Sequence, residues 1–209
     1  MQQDNTTAQV TTLAELGILG RPMRVRVRAM ILDNFKSFPK KTRIPLPDGF
    51  TTISGPNGSG KSTLLKVIAG ILEPNSGSLD THGAATAIVL QSTDVDPSVP
   101  ITVRDVVAMA RYPSVGLLRR FGADDRAAVQ SALERLDIAD LADRQIHHLS
   151  GGQRQRAFVA QGLAQEAPIL LLDEPLTGLD VRSRSVIADV FDVEHSAGRT
   201  VITTTHNFE

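Results

Sequence analysis

The segment from Gly55 to Thr63 carries the residue types that bind the phosphates of a nucleotide. It fits the pattern G-x-x-x-x-G-K-[ST] at every fixed position, with Lys61 as the fixed cation. Glycines let the backbone approach an anion closely, so that N–H groups can surround it at the N-terminus of the helix that follows. The hydroxyl of Ser62 is then placed to bind Mg²⁺. The predicted phosphate-binding residues are Gly55, Pro56, Asn57, Gly58, Ser59, Gly60, Lys61, Ser62 and Thr63.

Two adjacent carboxylates follow an apolar segment, Ile169–Leu172. Ligands of open α/β sheets bind at the carboxyl ends of the strands, so Asp173 and Glu174 are predicted to face the phosphate-binding loop. We expect Asp173 to hold Mg²⁺, and Glu174 to orient or deprotonate the water that attacks the γ-phosphorus. Two solvated acids at a strand end are the simpler alternative. The phosphate-binding loop in the same chain favours the catalytic interpretation.

A second anion-binding helix start is predicted at Ser150, which two glycines follow. One chain has little use for two such sites on the same phosphates, whereas a second copy of the chain could close its Ser150 segment on ATP held by the first. Leu149 to Arg156 resembles the signature motif of ATP-binding cassette (ABC) proteins, and its first five residues match the common form. The signature residues predicted to contact nucleotide are Ser150, Gly151, Gly152 and Gln153.

The resemblance extends to three further positions in the expected order. Gln91 corresponds to the glutamine loop, which senses Mg²⁺ and touches the partner. Asp180 lies in a segment similar to the loop through which two cassette subunits communicate, and His206 resembles the switch histidine that contacts the γ-phosphate. The resemblance therefore implies ATP and Mg²⁺ as cofactors. It implies catalytic roles for Glu174, His206, Gln91 and Lys61, metal contacts for Ser62, Gln91 and Asp173, and a nucleotide contact for Asp180.

Two kinds of ATPase share these motifs. Residues 33–61 resemble the head of chromosome-maintenance (SMC-type) ATPases, in which a long coiled coil separates the two nucleotide motifs. Here the stretch between Lys61 and Ser150 is short and has no sustained heptad repeat, which favours a transporter cassette. From Ser62 onward the chain is similar to transporter ATPases and most like the zinc/manganese-uptake group, which shares the run from Pro100 to Met109.

This resemblance implies an ATP-hydrolysing subunit of an ABC transporter that drives transport of a divalent metal ion such as zinc or manganese. Its expected partners are a second copy of the chain, which would sandwich the nucleotide, and a membrane-spanning transporter subunit. The expected location is cytoplasmic, peripheral on the inner face of the cell membrane. No nucleic-acid partner is expected.

Two departures from the family pattern keep other hypotheses open. The aromatic residue that stacks on adenine is a tyrosine in many cassettes, and here Phe35 or Phe38 is the candidate. The sequence ends three residues after His206, where family members continue. The alternatives are an SMC-like, DNA-associated ATPase head, and a chimeric or truncated cassette that binds ATP without coupled transport.

Composition bounds the class of protein. The 209 residues are 41% hydrophobic and 22% charged, as in ordinary globular proteins. A formal net charge of −1 provides no overall field to attract nucleic acid. The absence of cysteine excludes disulfides and thiolate metal sites.

Alternating strand and helix patterns around the phosphate-binding loop predict an α/β fold, namely a P-loop NTPase core of the ABC-ATPase type with a β-rich flank and an inserted α-helical subdomain. We expect a flexible leader at 1–22 and a single domain at 23–209, with its core at 23–91 and 149–209 and its helical subdomain at 92–148. The predicted strands are Arg24–Ile31, Lys41–Leu46, Phe50–Ser54, Ala87–Leu90, Ile169–Leu172 and Thr200–Thr205. The predicted helices are Leu64–Ala69, Val103–Arg111, Asp124–Leu136, Ala139–Arg144, Gln153–Ala164 and Val181–His195.

Overall fold

The computed structural model describes residues 29–32, 42–45, 50–54, 58–74, 81, 83–91, 95–115 and 120–205. Several predictions fall outside these residues. They concern the leader at 1–22, the first part of the phosphate-binding loop (Gly55, Pro56 and Asn57), the adenine-stacking candidates Phe35 and Phe38, and His206.

A four-stranded parallel sheet forms the centre of the fold. The strands are β1 (Ala29–Leu32), β2 (Thr42–Pro45), β3 (Phe50–Ser54), β4 (Thr86–Val89), β5 (Ile169–Leu172) and β6 (Thr200–Thr205). The parallel sheet has the order β3-β6-β5-β4, while β1 and β2 form a separate antiparallel pair. All four residues of β5 are buried, which explains why this strand is entirely apolar. The predicted α/β class with a parallel sheet is confirmed.

Helices follow or connect the strands. They are α1 (Lys61–Ile68), α2 (Val103–Ala108), α3 (Tyr112–Val115), α4 (Ala123–Arg135), α5 (Gly151–Ala164) and α6 (Val181–Ser196). Short 3₁₀ segments occupy Met109–Arg111, Ala139–Leu141 and Ile146–His148. The elements from α2 to α4 lie between β4 and β5 in the chain, and their buried side chains share one hydrophobic cluster with α5 and the sheet. The elements from α2 to α4 (103–135) are called the helical block below. They pack directly on α5, the helix that begins with the signature motif.

Two of the predicted helices were partly wrong. The helix expected over Val103–Arg111 is α-helical to Ala108 and then tightens into the 3₁₀ segment. The helix expected over Ala139–Arg144 is a single 3₁₀ turn, Ala139–Leu141. Its continuation is prevented because the backbone carbonyls of residues 142 and 144 accept hydrogen bonds from the first N–H groups of α2. Long-range hydrogen bonds to α2 thus outweighed the local tendency to form a helix.

A buried ion pair fastens the helical block to the end of α5. The guanidinium of Arg111 donates to Asp125 at 3.1 Å, to Glu166 at 2.7 Å and to the carbonyl of Ala164 at 3.0 Å. Asp125 is fully buried and also accepts the backbone N–H of Gly122 at 2.8 Å, which caps α4. One carboxylate therefore serves both a helix start and a contact between helices.

Candidate nucleotide-binding site

The described part of the phosphate-binding loop connects β3 to α1. Gly60 lies at the N-cap of α1 with φ of 97°, and its carbonyl accepts the N–H of Leu64 at 2.9 Å. Gly58 also has a left-handed backbone, with φ of 80°. L-residues with a side chain rarely adopt these angles, so the loop geometry requires glycine. Glycine at these positions also lets the backbone at the start of α1 approach an anion closely, and the N–H groups of a helix start can bind one.

A cavity of about 290 Å³ opens at this helix start. The residues that line it come from the second part of the sequence motif and from two segments that follow distant strands. They are Gly58, Gly60, Lys61, Ser62, Thr63, Gln91 and Glu174. The structure thus brings together most of the predicted phosphate, Mg²⁺ and catalytic residues that it describes.

Glu174 is the residue on which these distant parts converge. Its Oε2 accepts the side-chain amide of Gln91 at 3.0 Å and the hydroxyl of Thr177 at 3.3 Å. Its Oε1 lies 3.8 Å from Nζ of Lys61. The side chains of Glu174 and Lys61 are each only 7% exposed, so this ion pair is weakly screened by water. A carboxylate held this way is positioned at the cavity rather than solvated at a strand end.

Asp173 lies beneath Glu174 at the end of β5. Its backbone N–H donates to the carbonyl of Val89 at 2.9 Å, which extends the pairing of β5 with β4 by one residue. Its Oδ1 accepts the hydroxyl of Thr204 at 2.6 Å, and that same hydroxyl oxygen accepts the backbone N–H of Glu174 at 3.0 Å. Thr204 was not predicted from the sequence. The available signal was a run of hydroxyl residues in the predicted strand Thr200–Thr205, but Thr203, Thr204 and Thr205 all carry it.

The signature residues begin α5. Ser150 and Gln153 form a capping box, in which the Ser150 hydroxyl accepts the N–H of Gln153 at 3.3 Å and the Gln153 side chain accepts the N–H of Ser150 at 3.0 Å. Gly152 is closely packed, because a Cβ built there would lie 2.6 Å from Oδ2 of Asp180 and 2.5 Å from Oγ of Ser183. The helix starts of α5 and α6 are therefore held against each other.

Asp180 is the N-cap of α6. Its carboxylate accepts the backbone N–H and the hydroxyl of Ser183, each at 2.9 Å. These two hydrogen bonds, the backbone one first, hold the pKa of Asp180 below its ordinary value. Neither Asp180 nor the residues from Ser150 to Gln153 line the cavity beside Lys61. Within one chain, the structure does not bring these predicted nucleotide contacts to the phosphate-binding loop.

An ionic cluster anchors α5 and α6 to the end of α4. The buried guanidinium of Arg156 donates to the carbonyls of Leu136 and Asp137, at 3.0 and 2.9 Å. Arg182 on α6 donates to the Asp137 carboxylate at 2.5 Å, and this hydrogen bond together with the positive charge lowers the pKa of Asp137. The helical block is thus linked through Asp137 to both helices that carry predicted interface residues.

The cavity residues fit a nucleotide with its magnesium ion. The start of α1 and Lys61 supply positive charge for phosphates, and the left-handed glycines leave room for them. Ser62 and the Gln91 side chain line the cavity and supply oxygen atoms of the kind that a hard divalent cation prefers. Asp173, the third predicted Mg²⁺ ligand, does not line the cavity; it precedes Glu174 in the chain, and its Oδ1 accepts the Thr204 hydroxyl.

The sequence model of the family described as "ABC transporter" matches residues 47–177. This chain belongs to the ABC transporter family. It is 42% identical over 170 residues to the manganese transport system ATP-binding protein MntA of Synechocystis, covering 77% of this chain and 65% of that protein. It is 39% identical over 165 residues to the manganese transport system ATP-binding protein MntB of Listeria innocua, covering 76% and 69% of the two chains.

Solved structures give the same assignment for this cassette. An inward-facing ABC transporter aligns with a TM-score of 0.71 and 31% identity, covering 80% of this chain and 66% of that one. The structure of cbiO1 from Clostridium perfringens, part of the ABC transporter complex cbiONQ, aligns with a TM-score of 0.63 and 32% identity, covering 80% and 71%. The cassette spans 65% of the length of its Synechocystis relative. Among its described residues, no helix is long and apolar enough to cross a membrane.

Proposed function

We propose that this chain binds and hydrolyses ATP as the nucleotide-binding subunit of an ABC transporter that carries a divalent metal ion such as manganese or zinc. The observation that carries the proposal is the convergence of Lys61, Gln91 and Glu174 at the cavity beside the start of α1. The metal cargo is inferred from relatives named as manganese transport ATP-binding proteins. The ion would be moved by the membrane subunit and would not contact this chain.

In this proposal the phosphates are held by the loop N–H groups and by Nζ of Lys61. Ser62, Asp173 and Gln91 would hold Mg²⁺, which supplies positive charge to neutralise the phosphate oxygens. The Gln91 amide nitrogen donates to Glu174, which leaves the amide oxygen as its ligand atom for the cation. The same hydrogen bond thereby couples the metal ligand to the catalytic carboxylate.

Glu174 acts as the base in the proposed reaction. Its carboxylate accepts hydrogen bonds from Gln91 and Thr177 and lies beside Lys61, so its position is fixed before substrate arrives. Preorganised groups of this kind need little rearrangement in the transition state, which is how phosphoryl transfer is mainly accelerated. His206, outside the described residues, is proposed to contact the γ-phosphate.

A second copy of the chain is proposed to complete the site. The first turn of α5, with Ser150, Gly151, Gly152 and Gln153, would close on ATP held by the partner, and Asp180 would lie at the same interface. The location of these residues away from the cavity of their own chain supports a role in trans. The packing of Gly152 on the Asp180 cap would make the two interface segments move together.

The membrane subunit is proposed to dock on the helical block. A groove of about 440 Å³ lies there, and its lining combines the exposed Tyr112 with apolar residues and arginines. The lining residues are Arg104, Asp105, Ala108, Tyr112, Phe121, Arg126, Val129 and Gln130. The segment between Gln91 and Arg111 would carry nucleotide-dependent movement to this groove. Docking there would place the chain in the cytoplasm, peripheral on the inner face of the cell membrane.

The test is ATP hydrolysis by the purified full chain, compared with Glu174→Gln. We expect Mg²⁺-dependent turnover by the wild type, and a loss of roughly 10²–10⁴-fold in the variant with ATP binding retained. Light scattering of Glu174→Gln should show an ATP-dependent change from monomer to dimer. Failure of the wild type to bind ATP, or wild-type turnover by Glu174→Gln, would contradict the proposal. DNA-stimulated turnover with steep salt dependence would instead support the DNA-associated alternative.

The cargo is tested in vesicles that contain this chain assembled with its membrane subunit. We expect ATP-dependent movement of Mn²⁺ or Zn²⁺ that the Glu174→Gln complex cannot perform. ATP turnover without movement of either ion would be consistent with the proposed ATPase activity but would contradict the proposed metal cargo.

A further inference from the structure

We propose that Thr204 is a positioning residue that fixes the proposed metal-binding carboxylate of Asp173 and the proposed catalytic carboxylate of Glu174 relative to each other. This inference rests on the proposed ATPase function and deepens it. The Thr204 hydroxyl donates to Oδ1 of Asp173 at 2.6 Å and accepts the backbone N–H of Glu174 at 3.0 Å. One oxygen atom thus contacts the groups on both sides of the peptide bond that joins the two acids.

The sheet register explains how Thr204 reaches these residues. Leu172, the last residue of β5, is paired with Thr203 of the parallel strand β6. Asp173, the next residue after β5, therefore lies beside Thr204, which is still within β6 and is paired with Ile53 of β3. Thr204 is 1% exposed and Asp173 is 3% exposed, so water has little access to replace the hydroxyl between them.

The direction of the two hydrogen bonds is fixed by the chemistry of a hydroxyl. Its single proton is given to the Asp173 carboxylate, which has only acceptor atoms, and its lone pairs remain for the Glu174 N–H. Glu174 has a left-handed backbone with φ of 49°, which is uncommon for a residue with a side chain and needs support from its surroundings. The hydrogen bond to Thr204 holds the peptide in this conformation, so that the Glu174 side chain turns toward Lys61 and Gln91.

The substitution Thr204→Val removes both hydrogen bonds while keeping a side chain of similar shape. Because loss of a supporting partner to a metal ligand commonly costs 10–100-fold in activity or metal affinity, we expect kcat to fall by roughly 10–100-fold. The Mg²⁺ concentration for half-maximal turnover should rise, since Asp173 loses its orienting donor. The KM for ATP should change little, because the phosphate-binding loop is untouched. Thr204→Ser keeps the hydroxyl and should retain most of the turnover.

Thr203→Val is the matched control. Thr203 is the preceding residue of β6, is also buried, and its hydroxyl lies 3.4 Å from that of Thr52 rather than near either acid. The substitution Thr203→Val removes one buried hydroxyl from the same strand, as Thr204→Val does. We expect Thr204→Val to unfold at a lower temperature than Thr203→Val, because its two buried partners lose a hydrogen bond. At a temperature where both variants are folded, turnover and Mg²⁺ dependence should change only in Thr204→Val.

A second measurement uses the protein without nucleotide. Amide hydrogen exchange at Glu174, followed by NMR, should accelerate in Thr204→Val because its N–H loses its acceptor, and should stay slow in Thr204→Ser and Thr203→Val. Equal turnover, Mg²⁺ dependence and Glu174 exchange in the two valine variants would overturn the inference. A wild type that does not hydrolyse ATP would contradict the proposed function alone, and Glu174 exchange together with the Mg²⁺ dependence of ATP binding would then decide the role of Thr204.

Discussion

Gln91 and Glu174 are joined by a hydrogen bond of 3.0 Å although 83 positions separate them in the sequence. The contact exists because β4 and β5 are adjacent parallel strands, and each of the two residues follows its strand at the same edge of the sheet. A residue that would bind Mg²⁺ is thereby connected to the residue that would activate water.

Replacing Gln91 with leucine should slow ATP turnover and raise the Mg²⁺ requirement. Leucine has a similar size but neither donates to Glu174 nor binds a cation, and we expect a loss of roughly tenfold or more in kcat. The matched control is Gln165→Leu, which removes a glutamine that donates to the carbonyl of Thr86 at the opposite end of β4. Steady-state kinetics of both variants over a range of Mg²⁺ concentrations measures kcat and the Mg²⁺ requirement. An equal effect of the two substitutions would show that the Gln91 contact serves only the sheet.

Alanine substitutions at Gly151 and Gly152 should have opposite effects on the stability of the fold. In Gly152→Ala the new Cβ would meet Ser183 and the Asp180 carboxylate at 2.5–2.6 Å, so the cap of α6 must be displaced. We expect destabilisation by about 1–3 kcal/mol, the usual cost of overpacking. Gly151→Ala has nothing within 4 Å of its Cβ and should be neutral or stabilising, since alanine favours helix. Urea unfolding of both variants provides the comparison, and equal midpoints would contradict the close packing at Gly152.

The pair formed by Asp137 and Arg182 should make a pH-dependent contribution to stability. Arg182 lowers the pKa of Asp137 in the folded protein, so the pair's contribution is fully present above the unfolded Asp pKa of about 3.9 and is lost as pH falls through the lower folded value. The stability difference between wild type and Arg182→Gln should therefore be constant at neutral pH and shrink below about pH 4. Urea unfolding from neutral to acid pH measures this difference. Arg184→Gln on the same helix is the control, and a difference that grows on acidification would be evidence against the pair.

The buried carboxylate of Asp125 should be important for the stability of the helical block. In Asp125→Ala the buried guanidinium of Arg111 loses a buried carboxylate partner, and α4 loses its cap. We expect a loss of about 3–5 kcal/mol in the free energy of unfolding, as for other broken buried pairs. Asp124→Ala, an exposed change in the same helical turn, should cost far less. Similar denaturation midpoints for the two variants would rule out this role.

Elements with strong local signals were predicted closely. The apolar run Ile169–Leu172 and the β-branched run Thr200–Thr205 form the predicted strands with the predicted bounds. The helix that begins at Val181 was also expected, and its start is fixed by the Asp180 cap. Where the local signal was weak, around Ala139–Arg144, only the 3₁₀ turn Ala139–Leu141 formed, and the backbone after it is hydrogen-bonded to α2 instead.

The sequence by itself predicted a nucleotide-binding protein, because glycines, Lys61 and the two adjacent acids are by type and local spacing the residues expected of a phosphate and Mg²⁺ site. It also determined the family, through the signature segment that begins α5. The tertiary structure decided which distant groups support that chemistry, because the strand order brings Gln91 to Glu174 and places Thr204 beside Asp173. Three consecutive threonines are alike in sequence. Strand register selects the one that bridges the acids, and register depends on long-range hydrogen bonds and packing that no local pattern contains.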